Sequence, residues 1–441
     1  MAVETKPDTL VAEPWTAQEH KGGSEELGVE RPVSKDSDLP LLLQEFPEGG
    51  LAAWSTAFGA FLILFCTWGY VTSFGVYQDF YAQNYLTNET STAISILMVS
   101  CRFIGSINAF LGTSVSLVAG TLYDRGYFYH LVITGSLLQS FSLFMLSLAK
   151  PNQYYQVFLT QGLGSGIAVG LLYIPSLAIV SHYFRRKRTL VMAFVTLGSS
   201  LGAIVHPIML NNLLNGRLGF ANGVRASAGL LSALLLIACL CMRPRLDPPT
   251  TPVNYIVAAK KCLRDIPFFF AAVGAFLFQI GFYYPYFFLQ LDSTQHGISI
   301  SSYSLVILSA SSSVGRLSAG YIAGYIGVPN LTVISAISCG LIILGTVGLS
   351  SPASVVIIGV LYGYFSGVYT AIVGPLMATL THDPSELGGW MGIGFFIGGF
   401  GSLIGTPISG ALLTSDYIWW KPALFSGVSR LRLPLLYPHT L

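Results

Sequence analysis

The sequence predicts an all-α polytopic membrane protein made of two helical bundles, and three observations predict it. Of 441 residues, 53% are apolar and only 10% carry a charge, too little polar surface for a soluble domain. Eleven of the 20 acidic residues fall within the first 50 positions, which leaves nine for everything after them. Eleven apolar runs then follow, each long enough at about 1.5 Å per residue to cross roughly 30 Å of hydrocarbon.

Residues 1–46 are acidic and rich in Pro, Ser and Glu, and they lack the cationic start and apolar core of a signal peptide; they read as a disordered cytoplasmic tail. A first bundle, 47–242, holds apolar spans near 51–77, 93–119, 130–149, 153–181, 189–214 and 224–242. The charged stretch 243–266 reads as a central cytoplasmic loop. A second bundle, 267–413, holds five clear spans near 267–290, 301–326, 330–349, 353–378 and 388–413. Beyond it, 414–441 scatters Lys421, Arg430, Arg432, Pro422, Pro434 and Pro438 through an otherwise apolar segment, which no ordinary span tolerates. The expectation there is a truncated or aberrant twelfth helix, the alternative a short polar tail on eleven helices.

Charge placement sets the orientation. With the N-terminus in the cytoplasm, the tail, Arg125, the cluster Arg185, Arg186, Lys187 and Arg188, and the central loop (Arg243, Arg245, Lys260, Lys261, Arg264) place fourteen cations inside. Only Lys150, Arg217 and Arg225 fall outside in the first half, and this bias fixes the N-terminus inside. The sequon Asn88-Glu89-Thr90 then faces outward, where Asn88 can carry a glycan. A multi-pass protein of the plasma membrane, acting as a monomer, is the expectation. The halves also look like weak copies: Gly120-Thr121-Leu122-Tyr123-Asp124 closes the second span and Gly320-Tyr321-Ile322-Ala323-Gly324 closes the eighth, as in a duplicated secondary transporter with its site near the midplane.

Other functions are disfavoured. The six cysteines show no CxxC spacing and no neighbouring His pairs, so neither a metal site nor a disulfide framework is expected, and no cofactor is implied. Gly162-Leu163-Gly164-Ser165-Gly166 and Gly198-Ser199-Ser200-Leu201-Gly202 imitate nucleotide-binding and nucleophile-elbow patterns, but they lie in apolar helices without the strand those motifs need. Small residues at that spacing let membrane helices approach closely. Arg185 to Arg188 reads as a topology anchor rather than a nucleic-acid patch. The chain is not expected to be an enzyme.

Two side chains within the spans carry most of the chemistry. Arg316 lies midway along the eighth span, where a buried cation costs about 2.5–3.5 kcal/mol and ordinarily faces the bundle interior or a cavity. It needs an anion, and a guanidinium grips a carboxylate bidentately. His206, before Pro207 in the fifth span, can titrate near neutral pH, so proton coupling through it is weighed against a bond to a freed backbone carbonyl.

Gly120-x-Leu122-x-Asp124-Arg125 resembles the loop 2–3 motif of the major facilitator superfamily. Pro47-Glu48-Gly49-Gly50 followed by Trp54, and Tyr183-Phe184-Arg185-Arg186 after the fourth span, resemble two signatures of its monocarboxylate porter-like family of fungal type. The resemblance implies a fold of two six-helix bundles and an alternating-access carrier for organic anions, often proton-coupled. Asp124 and Arg125 are implied in gating, and Arg316, in Gly315-Arg316-Leu317, matches an arginine that binds substrate carboxylate. Spans 1, 4, 7 and 10 are implied to face the cavity, which makes Tyr70, Gln161, Gln279 and Tyr283 candidate substrate contacts, with Phe74, Tyr173, Tyr284, Tyr362 and Tyr369 behind them. The sequence departs from the pattern at Ser312, where an acid is expected, and at Thr72, where a lysine is expected. Such an aromatic set suits a planar organic substrate better than a small monocarboxylate. A transporter of an organic anion or related small metabolite is therefore expected; the alternatives are an efflux pump for a hydrophobic secondary metabolite and a non-transporting remnant or receptor.

Overall fold

The computed structural model describes residues 47–77, 80, 104–150, 153–246, 255–296, 298, 303–413 and 418–431. Eleven helices among them are long and apolar enough to cross a membrane. In chain order they are α1 Leu51–Tyr77, α2 Ile104–Asp124, α3 Phe128–Leu146, α4 Tyr154–His182, α5 Arg188–Leu214, α6 Gly219–Cys241, α7 Ile266–Ser293, α8 Ser304–Ile326, α9 Val328–Gly348, α10 Pro352–Leu380 and α11 Leu387–Leu413. A twelve-residue helix, α12 (Trp420–Leu431), packs on α7, α9 and α11. A short helix, Tyr255–Arg264, precedes α7. Asn88 lies outside the described residues, as does Arg102, a further cation within the apolar run 93–119 for which the sequence suggests no role.

The termini follow local chemistry. Asp265 caps α7 by accepting from the Phe268 N–H at 2.9 Å, with Pro267 in the first turn, where a missing N–H costs nothing. Ser351 and Ser354 form a reciprocal capping box before α10. Several spans are interrupted. The α1 backbone breaks at Thr67, α4 carries a π-helical stretch over Phe158–Gly164, and α7 breaks at Tyr283, two residues before Pro285. Inside a membrane such breaks persist where neighbouring groups take up the freed backbone atoms.

Helices α1–α6 pack together and α7–α12 pack together, and the halves meet through α5 on α8 and α2 on α11. The second contact depends on glycine. A Cβ on Gly120 would run into the Gly388 carbonyl, and one on Gly392 would sit 2.9 Å from the Leu117 Cα. The same line continues to Phe110 and Phe400, whose rings meet edge-on at 5.3 Å. The loops bearing Arg125, Arg185–Arg188 and Arg243–Arg245 gather at one end of the bundle, called the basic end below.

Candidate functional site

A cleft with about 930 Å³ of space, part of it open to solvent, lies between the halves. Leu64, Trp68 and Thr72, spaced by four on α1, supply one wall, and Thr196, Ser199 and Ser200 of α5 a second. Opposite them stand Gln279, Phe282, Tyr283 and Tyr286 of α7, Ser309 and Arg316 of α8, Tyr369 and Thr370 of α10, and Phe395 of α11. Tyr173 of α4 closes the floor, edge-on to both Trp68 (5.4 Å) and Phe395 (5.0 Å). Seven aromatic rings and one charge, Arg316, thus face the space, and no carboxylate is among the described residues that line it.

Arg316 is 7% exposed. Its Nη1 donates to the Thr196 carbonyl at 2.5 Å and to the Ser199 hydroxyl at 2.6 Å, both on α5. Its Nε has no hydrogen-bond partner among the described residues. The Nε is itself buried, so the guanidinium is tied to the opposite bundle through Nη1 and meets the cleft as a charge with no carboxylate among the described residues that line it. One turn earlier, Ser312 makes a 3.2 Å bond to Ser200 across the same interface.

At the basic end the halves are fastened by a carboxylate. Asp124, buried at the end of α2, accepts from the Gly388 N–H at 2.8 Å and the Gly389 N–H at 2.7 Å. These amides open α11, whose first-turn N–H groups otherwise lack partners and whose dipole favours negative charge. Arg125, the next residue, is exposed.

Within the first half, Glu48 performs a similar task. Its carboxylate accepts from the backbone N–H groups of Arg185 (2.9 Å), Arg186 (2.6 Å) and Lys187 (3.2 Å), and its own N–H donates to the Tyr183 carbonyl at 3.1 Å. Glu48 adopts φ +49° and Gly50 φ +92° to make this reach; Gly49 lies between them in the hinge. Trp54, one turn into α1, then packs edge-on against Phe184 at 5.5 Å. Two sequence patches about 130 residues apart are thus one clasp around the start of α5. Partial burial raises the Glu48 carboxyl pKa, but the three N–H donors and the Arg186 charge outweigh it, so the group is held below its ordinary value.

The comparisons agree with this architecture. The family model described as "Major Facilitator Superfamily" matches residues 56–381. The chain belongs to the major facilitator superfamily. It is 36% identical over 386 residues to the aspyridones efflux protein apdF of Emericella nidulans, covering 87% of this chain and 76% of that one. It is 33% identical over 392 residues to the fujikurins efflux protein of Gibberella fujikuroi, covering 87% and 81%. Among solved structures it superimposes on the proton:xylose symporter XylE with a TM-score of 0.71 at 12% identity, covering 87% and 95%. The superfamily expected from loop 2–3 is therefore shown, and curated relatives are fungal efflux transporters rather than monocarboxylate porters by name.

In this major facilitator protein, Arg316, Gln279 and Tyr283 line the central cleft, as do Tyr173, Tyr369 and Thr72. Two candidate contacts lie elsewhere. Tyr70, two residues from both Trp68 and Thr72, faces the other side of α1, where its hydroxyl pairs with Tyr77 and its ring packs on His206 at 5.4 Å. Gln161 sits in the π-helical stretch, packed against α2, where its carbonyl accepts from the Asn108 side chain at 2.5 Å. His206 is fully buried beside Phe65, with Nε2 3.0 Å from the Phe65 carbonyl, and does not line the cleft. The sequence reading missed Trp68, Phe282, Tyr286, Phe395 and the α5 hydroxyls. Tyr286 was available as the i+3 neighbour of Tyr283, and Trp68 as the i−4 neighbour of Thr72.

Proposed function

We propose that this chain exports an aromatic organic anion of secondary metabolism by alternating access. The observation that carries the reading is Arg316, the one cation among the described residues that line the cleft, with seven rings around it and no carboxylate beside it among those residues. A planar substrate stacks on such rings with contributions of about 0.5–1.5 kcal/mol per ring pair, and its carboxylate or enolate answers the buried guanidinium, which has no acidic partner among the described residues. A lactate-sized monocarboxylate would leave most of the aromatic surface unused. The printed names of the two fungal relatives, both efflux proteins, support the export direction.

The mechanism follows from the contacts between the halves. Asp124 on the α11 amides and Arg316 on α5 hold the basic end shut while the cleft keeps an opening. With the N-terminus in the cytoplasm of a plasma-membrane protein, this is a state closed towards the cytoplasm. An anion that takes over the guanidinium weakens the Arg316 tie to Thr196, and rocking of the halves then breaks the Asp124 bonds. Cells expressing the chain are loaded with 9-anthracenecarboxylate and, separately, with the neutral 9-anthracenemethanol. Faster loss of the carboxylate alone is expected; equal loss of both, or of neither, contradicts the reading.

A further inference from the structure

The helix that looks least like a membrane span buries an arginine behind the cleft wall. Arg430, on α12, is 0% exposed, and no acidic residue pairs with it among the described residues. Its guanidinium carbon lies 4.1 Å from the centre of the Phe278 ring. Its Nε donates to the Phe278 carbonyl at 3.3 Å and its Nη2 to the Tyr362 hydroxyl at 3.0 Å. Glycine admits it: a Cβ on Gly281 would stand 2.7 Å from the Ser426 carbonyl and 3.1 Å from Arg430 Nε.

The partners of Arg430 meet the break in α7. The helical segment before that break ends at Phe282, and Tyr283 and Pro285 interrupt the ladder, so the last carbonyls lack their usual N–H donors. Tyr362 donates to one of these, the Phe282 carbonyl, at 2.8 Å, and Arg430 donates to the Tyr362 oxygen and, one turn before the break, to the Phe278 carbonyl that the Phe282 N–H already faces in the ladder. A cation at the C-terminal turn of a helix also opposes the helix dipole. These bonds and the Phe278 ring offset part of the cost of burying an arginine without a carboxylate, and its Nη1 has no hydrogen-bond partner among the described residues.

Each partner of this arginine backs a residue of the cleft. Phe278 stacks on Tyr369 with centroids 3.4 Å apart and planes 10° apart. Tyr362 meets Tyr286 edge-on at 6.5 Å. The Phe282 carbonyl that Tyr362 holds belongs to a lining residue, and Tyr369, Tyr286 and Phe282 all face the substrate space. We infer that Arg430 is a positioning residue for transport: it sets the break in α7 and the aromatic wall in front of it without touching substrate. This rests on the proposed function only for the identity of the substrate, and it makes α12 part of the transport unit.

The test uses the full-length protein in proteoliposomes with 9-anthracenecarboxylate as substrate. Arg430→Met keeps the buried volume but removes the donors and the charge. It is expected to raise KM about tenfold or more, as loss of charged hydrogen bonds does, while Vmax changes about twofold at most. Arg430→Lys, which keeps a cation, should recover part of that loss. Tyr362→Phe, which keeps every ring and removes one hydroxyl, should move KM the same way by a smaller factor and covers the case in which the methionine variant does not fold. Labelling of Tyr286→Cys by a water-soluble thiol reagent needs no substrate; adding Arg430→Met, or Tyr362→Phe where the methionine variant does not fold, should change its rate about threefold or more. An unaltered KM in both folded variants, or an unaltered labelling rate, overturns the inference. Failure of the wild-type protein to move the anthracene probe would instead count against the proposed function, and the labelling rate would still decide the role of Arg430.

Discussion

Arg316 of α8 donates to the backbone carbonyl of Thr196 on α5 across 2.5 Å, so the one cation among the described residues that line the cleft is tied to the opposite bundle. A group in that position serves two ends. It offers a charge to an entering anion, and it belongs to the interface that must part for the cleft to face the other way.

Replacing Arg316 by Gln should therefore weaken transport of an anionic substrate far more than that of a neutral analogue. Loss of a charged hydrogen bond is worth about 1.5–3 kcal/mol, so the ratio Vmax/KM should fall roughly tenfold to a hundredfold at unchanged surface abundance. Equal loss for charged and neutral substrates would mark Arg316 as an interface residue alone.

Asp124 and Gly120 make a separable prediction. Asp124→Asn keeps the shape but removes the charge that faces the Gly388 and Gly389 amides, while Gly120→Ala places a methyl group against the Gly388 carbonyl. Both should loosen the basic end. Thiol labelling of a cysteine placed at Leu117 should speed up in each variant. No change in either would show that this contact does not set the conformational equilibrium.

Glu48 gives the chain a pH-dependent contribution whose sign follows from its pKa. The folded value lies below the ordinary value of 4.5, so the unfolded chain takes up the proton first as pH falls. The contribution is complete above that ordinary value and is lost as pH drops through the lowered folded value. Glu48→Gln should lower the Tm at pH 7, by a capping loss of about 0.5–2 kcal/mol, and the gap to wild type should narrow below pH 4.5. A gap that stays constant to lower pH would show that the charge is not what holds Arg185 to Lys187.

His206 should prove structural. It is enclosed by Phe65 and Tyr70 and lies off the cleft, so His206→Asn is expected to leave the pH profile of transport in place. A profile flattened by that change would restore His206 as a proton carrier.

Much of this was legible in the sequence because membrane helices declare themselves by length and lack of charge. The clasp between Glu48 and Arg185 was legible only as two separate patches, since nothing in linear order says that they touch. Arg316 was legible because a mid-span cation is costly. Tyr70 and Gln161 lie off the cleft for different reasons: Tyr70 stands two residues from Trp68 and Thr72, on the other side of α1 from the face they share, and Gln161 sits in a π-helical stretch packed against α2. The segment after 414 gave the least warning. Its prolines and cations read as a spoiled span, yet Arg430 bonds to Phe278 and to Tyr362, which in turn holds the freed Phe282 carbonyl at the end of a broken helix, a feature that only packing reveals.

The central claim is best tested by counterflow. Purified protein in liposomes preloaded with unlabelled 9-anthracenecarboxylate should draw in radiolabelled 9-anthracenecarboxylate well above the level of empty liposomes, and the Arg316→Gln protein should not. Counterflow that survives in Arg316→Gln, or that is equally driven by 9-anthracenemethanol, would contradict a cleft built for an aromatic anion.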